Sequence, residues 1–141
     1  MSGNSHFTVA THVLTLLGHH APKALTSELI AASVNTNAVF LRRLMSSLRA
    51  ARLIESQAGP GGGWKLLRNP KDITLRDVYR AMEDGPLFAM HANTPNKECE
   101  VGCNIQGILG NHFDATLRTV EQQLSRTSIH DLVREVRARA R

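Results

Sequence analysis

Two cysteines, Cys99 and Cys103, are the residues whose type and spacing point most directly to chemistry. Thiols four positions apart can form a disulfide if the backbone brings their Cα atoms within about 7 Å. They are an incomplete ligand set, because zinc sites and [2Fe–2S] clusters usually take four ligands. His91 and His112 are near enough in sequence for a weak mixed site. The pair favours a thiol redox switch, with inert cysteines or a metal or iron–sulfur site as alternatives. We expect no bound metal and no cofactor.

A phosphate loop is the second chemistry to test, at the glycine-rich run Gly59–Gly63. Such a loop needs the pattern G-x-x-x-x-G-K-[ST] at the start of a helix. Trp64 stands where the second glycine is required, no Lys-Ser or Lys-Thr pair follows, and the next residues favour a strand. The sequence also shows no nucleophile–base pair and no paired carboxylates. We therefore expect a protein that is not an enzyme.

The segment Ala38–Ala51 predicts an amphipathic helix that positions a basic surface. Its apolar residues recur at steps of three and four and so share one face: Phe40, Leu41, Leu44 and Leu48. Polar and basic residues point elsewhere: Arg42, Arg43, Ser46 and Arg49. The run Asn35–Asn37 supplies suitable N-cap residues. A shorter helix before it, from Thr26 or Ser27 to Ser33, completes a helix-turn-helix pair.

Two short strand candidates follow the helix, Leu53–Glu55 and Trp64–Leu67, on either side of the glycine-rich run. Glycines allow a tight turn and leave the backbone bare enough to approach another molecule closely. Residues 35–68 carry six basic side chains against Glu55 alone, so their net charge is +5, equal to the formal net charge of the whole chain. A basic helix followed by a basic hairpin is typical of a winged helix-turn-helix that binds double-stranded DNA.

Composition sets the wider limits. The chain has 141 residues, of which 42% are hydrophobic and 21% charged, and this suits a single core. A pI near 9.9 suits an anionic partner. No apolar run approaches the roughly 20 residues of a membrane span, and the N-terminus lacks a signal pattern, so we expect a cytoplasmic protein that does not bind membranes. Further helices are predicted at Ser5–His20 and Thr74–Met82.

A long helix is predicted after the cysteines, with Asn104 as its cap. An apolar stripe runs along it: Ile105, Ile108, Leu109, Phe113, Leu117, Val120 and Leu124. A chain of this size has little left to cover such a stripe, so we expect a partner helix in a homodimer. Joining the two cysteines would then re-aim the start of the dimer helix and change the affinity for DNA.

These patterns predict a mainly α fold with a small β-hairpin wing, that is, a winged helix-turn-helix with a long C-terminal dimerisation helix. We expect the DNA-binding domain at residues 1–85, ended by Glu83–Pro86, and the cysteine-bearing loop at residues 86–103. Residues 104–141 would hold the dimerisation helix and a short final helix, Ile129–Arg137. A basic tail closes the chain and could fray or touch phosphate: Arg134, Arg137, Arg139 and Arg141.

Three consecutive segments, Phe40–Leu44, Leu48–Ser56 and Gly59–Trp64, resemble the Rrf2 family of bacterial transcription regulators. The family pattern is a Tyr-Leu-x-x-Leu recognition helix, a hydrophobic strand, and a wing close to Arg-Gly-x-x-Gly-Gly-Tyr. Ala58 stands where many members carry the wing arginine, and Trp64 replaces the usual tyrosine. The resemblance implies a dimeric winged-helix repressor. Cluster-binding members carry three cysteines in this region, whereas this chain is similar to the two-cysteine, YwnA-like branch.

The expected DNA contacts lie on the helix-turn-helix and the wing: Thr26, Ser27, Asn35, Thr36, Asn37, Val39, Arg42, Arg43, Gly61, Gly62 and Lys65. Helix-turn-helix geometry places the start of the second helix in the major groove, where an arginine can read guanine through two hydrogen bonds. The resemblance implies that the wing residues follow a phosphate strand or the minor groove. The alternative is a protein-interaction module that docks its partner on the long helix, with a vestigial winged domain; Ala58 is its direct support.

Overall fold

The computed structural model describes residues 5–82 and 85–140 of the chain. Within these residues there are six α-helices and one two-stranded antiparallel hairpin. In chain order the elements are α1 (His6–His20), α2 (Ser27–Val34), α3 (Ala38–Ala50), β1 (Ile54–Gln57), β2 (Gly63–Leu66), a 3-10 turn (Pro70–Asp72), α4 (Leu75–Met82), α5 (Glu100–Leu124) and α6 (Ile129–Arg139). The predicted helical fold with a hairpin wing and a long C-terminal helix is confirmed. Within the described ranges, no helix has the length and apolar character needed to cross a membrane.

The elements of the winged domain begin and end within two residues of their predicted bounds. Both strands are shifted by about one residue, because β1 starts at Ile54 and β2 at Gly63. The predicted end of the domain includes positions 83 and 84, which lie outside the described residues, as does Arg141 of the basic tail.

The described residues divide into two compact units. The first contains the residues up to 82 together with those from 124 onward, and the second contains residues 85–123. The final helix α6 therefore belongs with the winged domain, whereas the sequence grouped it with the long helix in residues 104–141. This difference arises because α6 contributes two side chains, Ile129 and Val133, to the core that α1 and α3 also build.

One apolar core fixes the winged unit. Its largest fully buried side chains come from α1, α2, α3, α4, α6 and the segments between them: Leu14, Leu17, Ile30, Leu48, Leu53, Ile54, Ile73, Ile129, Val13 and Val78. Burial of such a side chain contributes roughly 1.5–3 kcal/mol relative to leaving it in water. The helix-turn-helix pair and the wing are thus held on a common apolar base.

The long helix begins at Glu100, four residues before the predicted cap, Asn104. The prediction of a loop up to residue 103 was therefore wrong at its end. Asn104 lies inside the helix, where its side-chain amide donates to the carbonyl of Glu100 at 2.8 Å. Within the first turn of α5, a Cβ at Gly102 would lie 2.3 Å from the carbonyl oxygen of Asn96, so only glycine admits this close approach of the loop to the helix.

Helix α6 starts with a capping box. The Ser128 hydroxyl accepts from the backbone N–H of Asp131 at 3.1 Å, and the Asp131 carboxylate accepts from the backbone N–H of Ser128 at 2.9 Å. Hydrogen bonding to Ser128, first through its backbone N–H and then through its side chain, lowers the pKa of Asp131. At the other end of α6, Arg137 donates to the carbonyl of His19 at 3.0 Å. This part of the basic tail is therefore tied to the end of α1 and is not frayed.

Candidate nucleic-acid interface

Helices α2 and α3 are joined by a three-residue turn, and the residues at its ends are helix caps. Thr26 caps α2 by accepting from the backbone N–H of Leu29 at 3.2 Å. Asn35 ends α2 in the left-handed region, with φ 57°. Asn37 caps α3 by accepting from the backbone N–H of Phe40 at 2.8 Å. All three predicted contact residues are exposed, so these helix-end residues face outward.

Helix α3 presents one buried and one exposed face. Its buried side chains are Leu41, Leu44, Met45 and Leu48. Met45 was not predicted, although it lies one turn after Leu41 on the same face. Phe40, which was predicted as core, is half-buried and stacks on the ring of His6 with centroids 4.9 Å apart. Val39 is 57% exposed, and Arg42 and Arg43 are exposed as well, which is the arrangement that groove contact requires.

Arg42 and Arg43 point to different sides of α3, because consecutive residues lie about 100° apart around a helix. Arg42 lines a groove between α2, α3 and the wing, beside Trp64. Arg43 lines a second depression on the other side of the helix, with His6 and Met82. Both flanks of the exposed face of α3 therefore carry a guanidinium group.

The wing is a short hairpin in which Glu55 pairs with Lys65 across the strands. The same two side chains form an ion pair of 3.6 Å, with 38% of the Lys65 side chain and 42% of the Glu55 side chain exposed. The positive charge of Lys65 therefore has a partner within the wing, which the sequence did not predict. At the tip, Gly61 is exposed and Gly62 is half-buried, and the backbone N–H of Gly62 donates to the carbonyl of Gly59 at 2.9 Å.

A contact between the wing and the start of α2 was also not predicted from the sequence. Trp64 and Leu25 exchange two backbone hydrogen bonds, of 2.9 and 2.7 Å. In addition, the indole Nε1–H of Trp64 donates to the hydroxyl of Ser27 at 3.2 Å. Ser27 is exposed, as expected of a DNA contact, but it is at the same time a partner of the wing.

The two thiols lie one helical turn apart at the start of α5. Cys99 directly precedes the helix, and the backbone N–H of Cys103 donates to the carbonyl of Cys99 at 2.9 Å. Both cysteines are exposed and neither forms a disulfide. The side-chain amide of Asn104 donates to the sulfur of Cys103 at 3.2 Å. Among the described residues, no three His, Cys, Asp or Glu side chains are grouped closely enough to hold a metal ion.

The apolar stripe of α5 is only partly covered by the described residues. All 25 residues of the helix are described, and none of them is buried. Ile108 is 51% exposed. The ring of Phe113 packs against the ring of Phe88, with 4.8 Å between the centroids. The other predicted interface residues are half-buried: Ile105, Leu109, Leu117, Val120 and Leu124. A helix of this length spans roughly 37 Å, so the stripe is a long apolar surface open to a partner.

A capped helix-turn-helix with an exposed basic recognition helix, followed by a glycine-tipped hairpin, defines a winged helix-turn-helix protein. The family model for Rrf2, described as an iron-dependent transcriptional regulator, matches residues 4–135. The chain belongs to the Rrf2 family of transcription regulators.

Relatives and solved structures agree with this assignment. YwnA of Bacillus subtilis, a candidate HTH-type transcriptional regulator, is 41% identical over 131 residues, which are 92% of this chain and 96% of YwnA. The crystal structure of a candidate DNA-binding protein superposes with a TM-score of 0.72 at 36% identity, covering 91% of this chain and 98% of the other. CymR, the global cysteine regulator of B. subtilis, shares the fold, with a TM-score of 0.67 at 24% identity over 96% of this chain and 98% of CymR.

Proposed function

We propose that this Rrf2-family regulator acts as a homodimeric, sequence-specific DNA-binding repressor of the cytoplasm and has no enzymatic activity. The observation that carries the proposal is the exposed start of α3, where Val39, Arg42 and Arg43 project from a helix whose opposite face is buried. In a helix-turn-helix protein, this part of the second helix enters the major groove.

The caps of the helix-turn-helix support the same function. The side-chain oxygen of Asn37 accepts from the backbone N–H of Phe40, and its amide nitrogen remains a donor. An asparagine can contact adenine through such an amide. Asn35 and Thr36 lie beside Asn37 along the turn, and Thr26 lies at the start of α2; these residues would contact phosphates. In the wing, Gly61 and Gly62 offer bare backbone to a phosphate strand or minor groove. Lys65 would exchange its partner Glu55 for phosphate.

We propose that this regulator binds no iron–sulfur cluster. Such clusters usually take four ligands, and the chain offers two cysteines without a third ligand grouped beside them in the described residues. The donor set therefore does not fit the group, and no step of the proposed function passes through it.

Substitution of the two arginines tests the DNA-binding proposal. Arg42→Ala and Arg43→Ala are each expected to weaken binding to a duplex selected from random-sequence DNA by the wild-type protein. The expected loss is about 5- to 150-fold, which corresponds to roughly 1–3 kcal/mol of base discrimination per arginine. Mobility shifts at fixed salt, repeated with single-base variants of the duplex, measure both affinity and base preference. Because the two side chains line different depressions beside α3, each variant should relax preference at different base positions.

The matched control is Arg118→Ala, which removes an exposed arginine of α5 outside the helix-turn-helix. It should bind the selected duplex like the wild type. Unchanged affinity and unchanged base preference in both α3 variants would contradict the assignment of α3 as the reading helix. If the wild type binds all sequences alike with a steep salt dependence, the interaction-module alternative is favoured instead.

The cysteines supply a proposed control of this binding. In a helical turn, Cα atoms four residues apart are about 6 Å apart, within the range that a disulfide spans. We expect hydrogen peroxide to oxidise the Cys99 and Cys103 thiols to a disulfide. Each thiol gives up one proton and one electron, and the two protons and two electrons reduce the peroxide to two molecules of water. The bond would constrain the first turn of α5, the helix that carries the proposed dimer interface.

Oxidation is therefore expected to change operator affinity by about 5- to 150-fold, the usual range of coupling between two sites. Binding of the selected duplex should be compared under dithiothreitol and under mild hydrogen peroxide, with mass spectrometry to count free thiols. Cys99→Ser and Cys103→Ser should each lose the response to oxidant. Under both conditions they should bind the duplex with the affinity that the wild type has under dithiothreitol. If oxidant forms the disulfide without altering affinity, or if both serine variants still respond, the cysteines are not the switch.

A further inference from the structure

The wing is attached to the rest of the winged unit at two places. At its first strand it continues directly from α3, where the backbone N–H of Leu53 donates to the carbonyl of Leu48 at 3.0 Å. At its second strand it is attached through Trp64, which makes two backbone hydrogen bonds to Leu25 and one side-chain hydrogen bond to Ser27. The first attachment is covalent, whereas the second consists of two backbone hydrogen bonds and one hydrogen bond that depends on the side chain at position 64.

The backbone beside Trp64 is adapted to this second attachment. Gly63 has φ +140°, and a Cβ there would lie 2.3 Å from the carbonyl oxygen of Leu25. Any other residue would push the strand away from the start of α2. Trp64 also packs against the edge of the apolar core and is half-buried. Its ring is therefore held in place while its N–H reaches the more exposed Ser27.

The direction of the hydrogen bond follows from the chemistry of the two groups. An indole N–H can only donate, so the Ser27 oxygen must accept, and the hydroxyl proton of Ser27 remains available to a further acceptor. Thus one serine can hold the wing and donate to a phosphate oxygen at the same time.

We infer that Trp64 is a positioning residue that holds the wing against the start of α2 through Ser27, and so fixes the distance between the wing tip and the recognition helix when the protein binds DNA. In the hairpin register Trp64 pairs with Ser56, one pair before the last, Gln57 with Gly63. The restraint therefore acts close to the tip. The inference rests on the proposed DNA-binding function and adds to it the element that sets the reach of the wing.

Two single variants and their combination test the inference. Trp64→Phe keeps an aromatic ring but removes the N–H, and Ser27→Ala removes the acceptor. Each is expected to weaken binding of the selected duplex by roughly threefold to tenfold, the usual effect of one hydrogen bond. The double variant should bind no more weakly than the weaker-binding single variant, because both changes break the same contact. Ser27→Thr, which keeps a hydroxyl acceptor, should lose less affinity than Ser27→Ala.

A shortened duplex separates positioning from general destabilisation. Hydroxyl-radical footprinting of the wild-type complex identifies the flanking bases that the wing protects, and a duplex without those bases should be bound equally by the wild type and Trp64→Phe. Thermal melting verifies that each variant is folded. Wild-type affinity of Trp64→Phe on the long duplex, losses that multiply in the double variant, or equal losses on both duplexes would each overturn the inference. Failure of the wild type itself to bind any selected duplex would instead overturn the proposed function.

Discussion

Replacement of Leu109 by aspartate is expected to lower operator affinity by about 100-fold or more, because an unpaired charge in a closed apolar interface costs at least about 3 kcal/mol. Leu109 lies near the middle of the α5 stripe, none of whose residues is buried within the chain. If two copies of α5 cover each other, the carboxylate must either lose its water or prevent association. A separated protomer holds one recognition helix and so forms half of the contacts to a two-fold operator.

Analytical ultracentrifugation should then show a dimer for the wild type and a monomer for Leu109→Asp at the same micromolar concentration. Asn111→Asp is the matched control, because it adds the same charge to an exposed position about 200° around the helix from Leu109. This control should remain dimeric and bind DNA like the wild type. The proposed interface would be wrong if Leu109→Asp stayed dimeric, or if both variants dissociated to the same extent.

The part of the fold that follows from local sequence was predictable to within a residue or two. Helix α3 is an example, since its apolar residues repeat at helical steps and Asn37 supplies a cap with a short-range partner, Phe40. The wing was predictable for a similar reason, because the glycine-rich turn joins two short apolar segments. In both cases the deciding interactions connect residues that are close in sequence.

Contacts between distant residues were not predictable from the same patterns. The bond from Trp64 to Ser27 joins residues 37 positions apart, and that from Arg137 to His19 joins residues 118 positions apart. Neither leaves a periodic signal, so Ser27 was predicted as a DNA contact or helix cap, and Arg137 as the end of the final helix and part of a basic tail, without these partners. The start of α5 was missed because Gly102 reads as a loop residue, although here it admits the close approach of Asn96 to a helix.

Leu48→Ala is expected to lower the free energy of unfolding of the winged unit by about 2–5 kcal/mol, the range for removing a buried leucine side chain. Leu48 has no exposed surface, and its carbonyl accepts from Leu53 at the joint between α3 and the wing. Its side chain lies on the core side of α3, opposite the arginines of the proposed DNA surface. Below its melting temperature, the variant should therefore keep operator affinity within about threefold of the wild type, since the folded form presents the same contacts.

Arg49→Ala provides the stability control, because it alters the adjacent but exposed residue and leaves alanine, a good helix former. Its free energy of unfolding should stay within about 0.5 kcal/mol of the wild type. Urea titrations followed by circular dichroism, at a protein concentration that keeps the assembly state fixed, measure both values. A loss below about 1 kcal/mol for Leu48→Ala would show that the core behind α3 tolerates the cavity. In that case the caps at Asn37 and Thr26 and the joint with the wing would contribute more to the position of the recognition helix than the apolar core does.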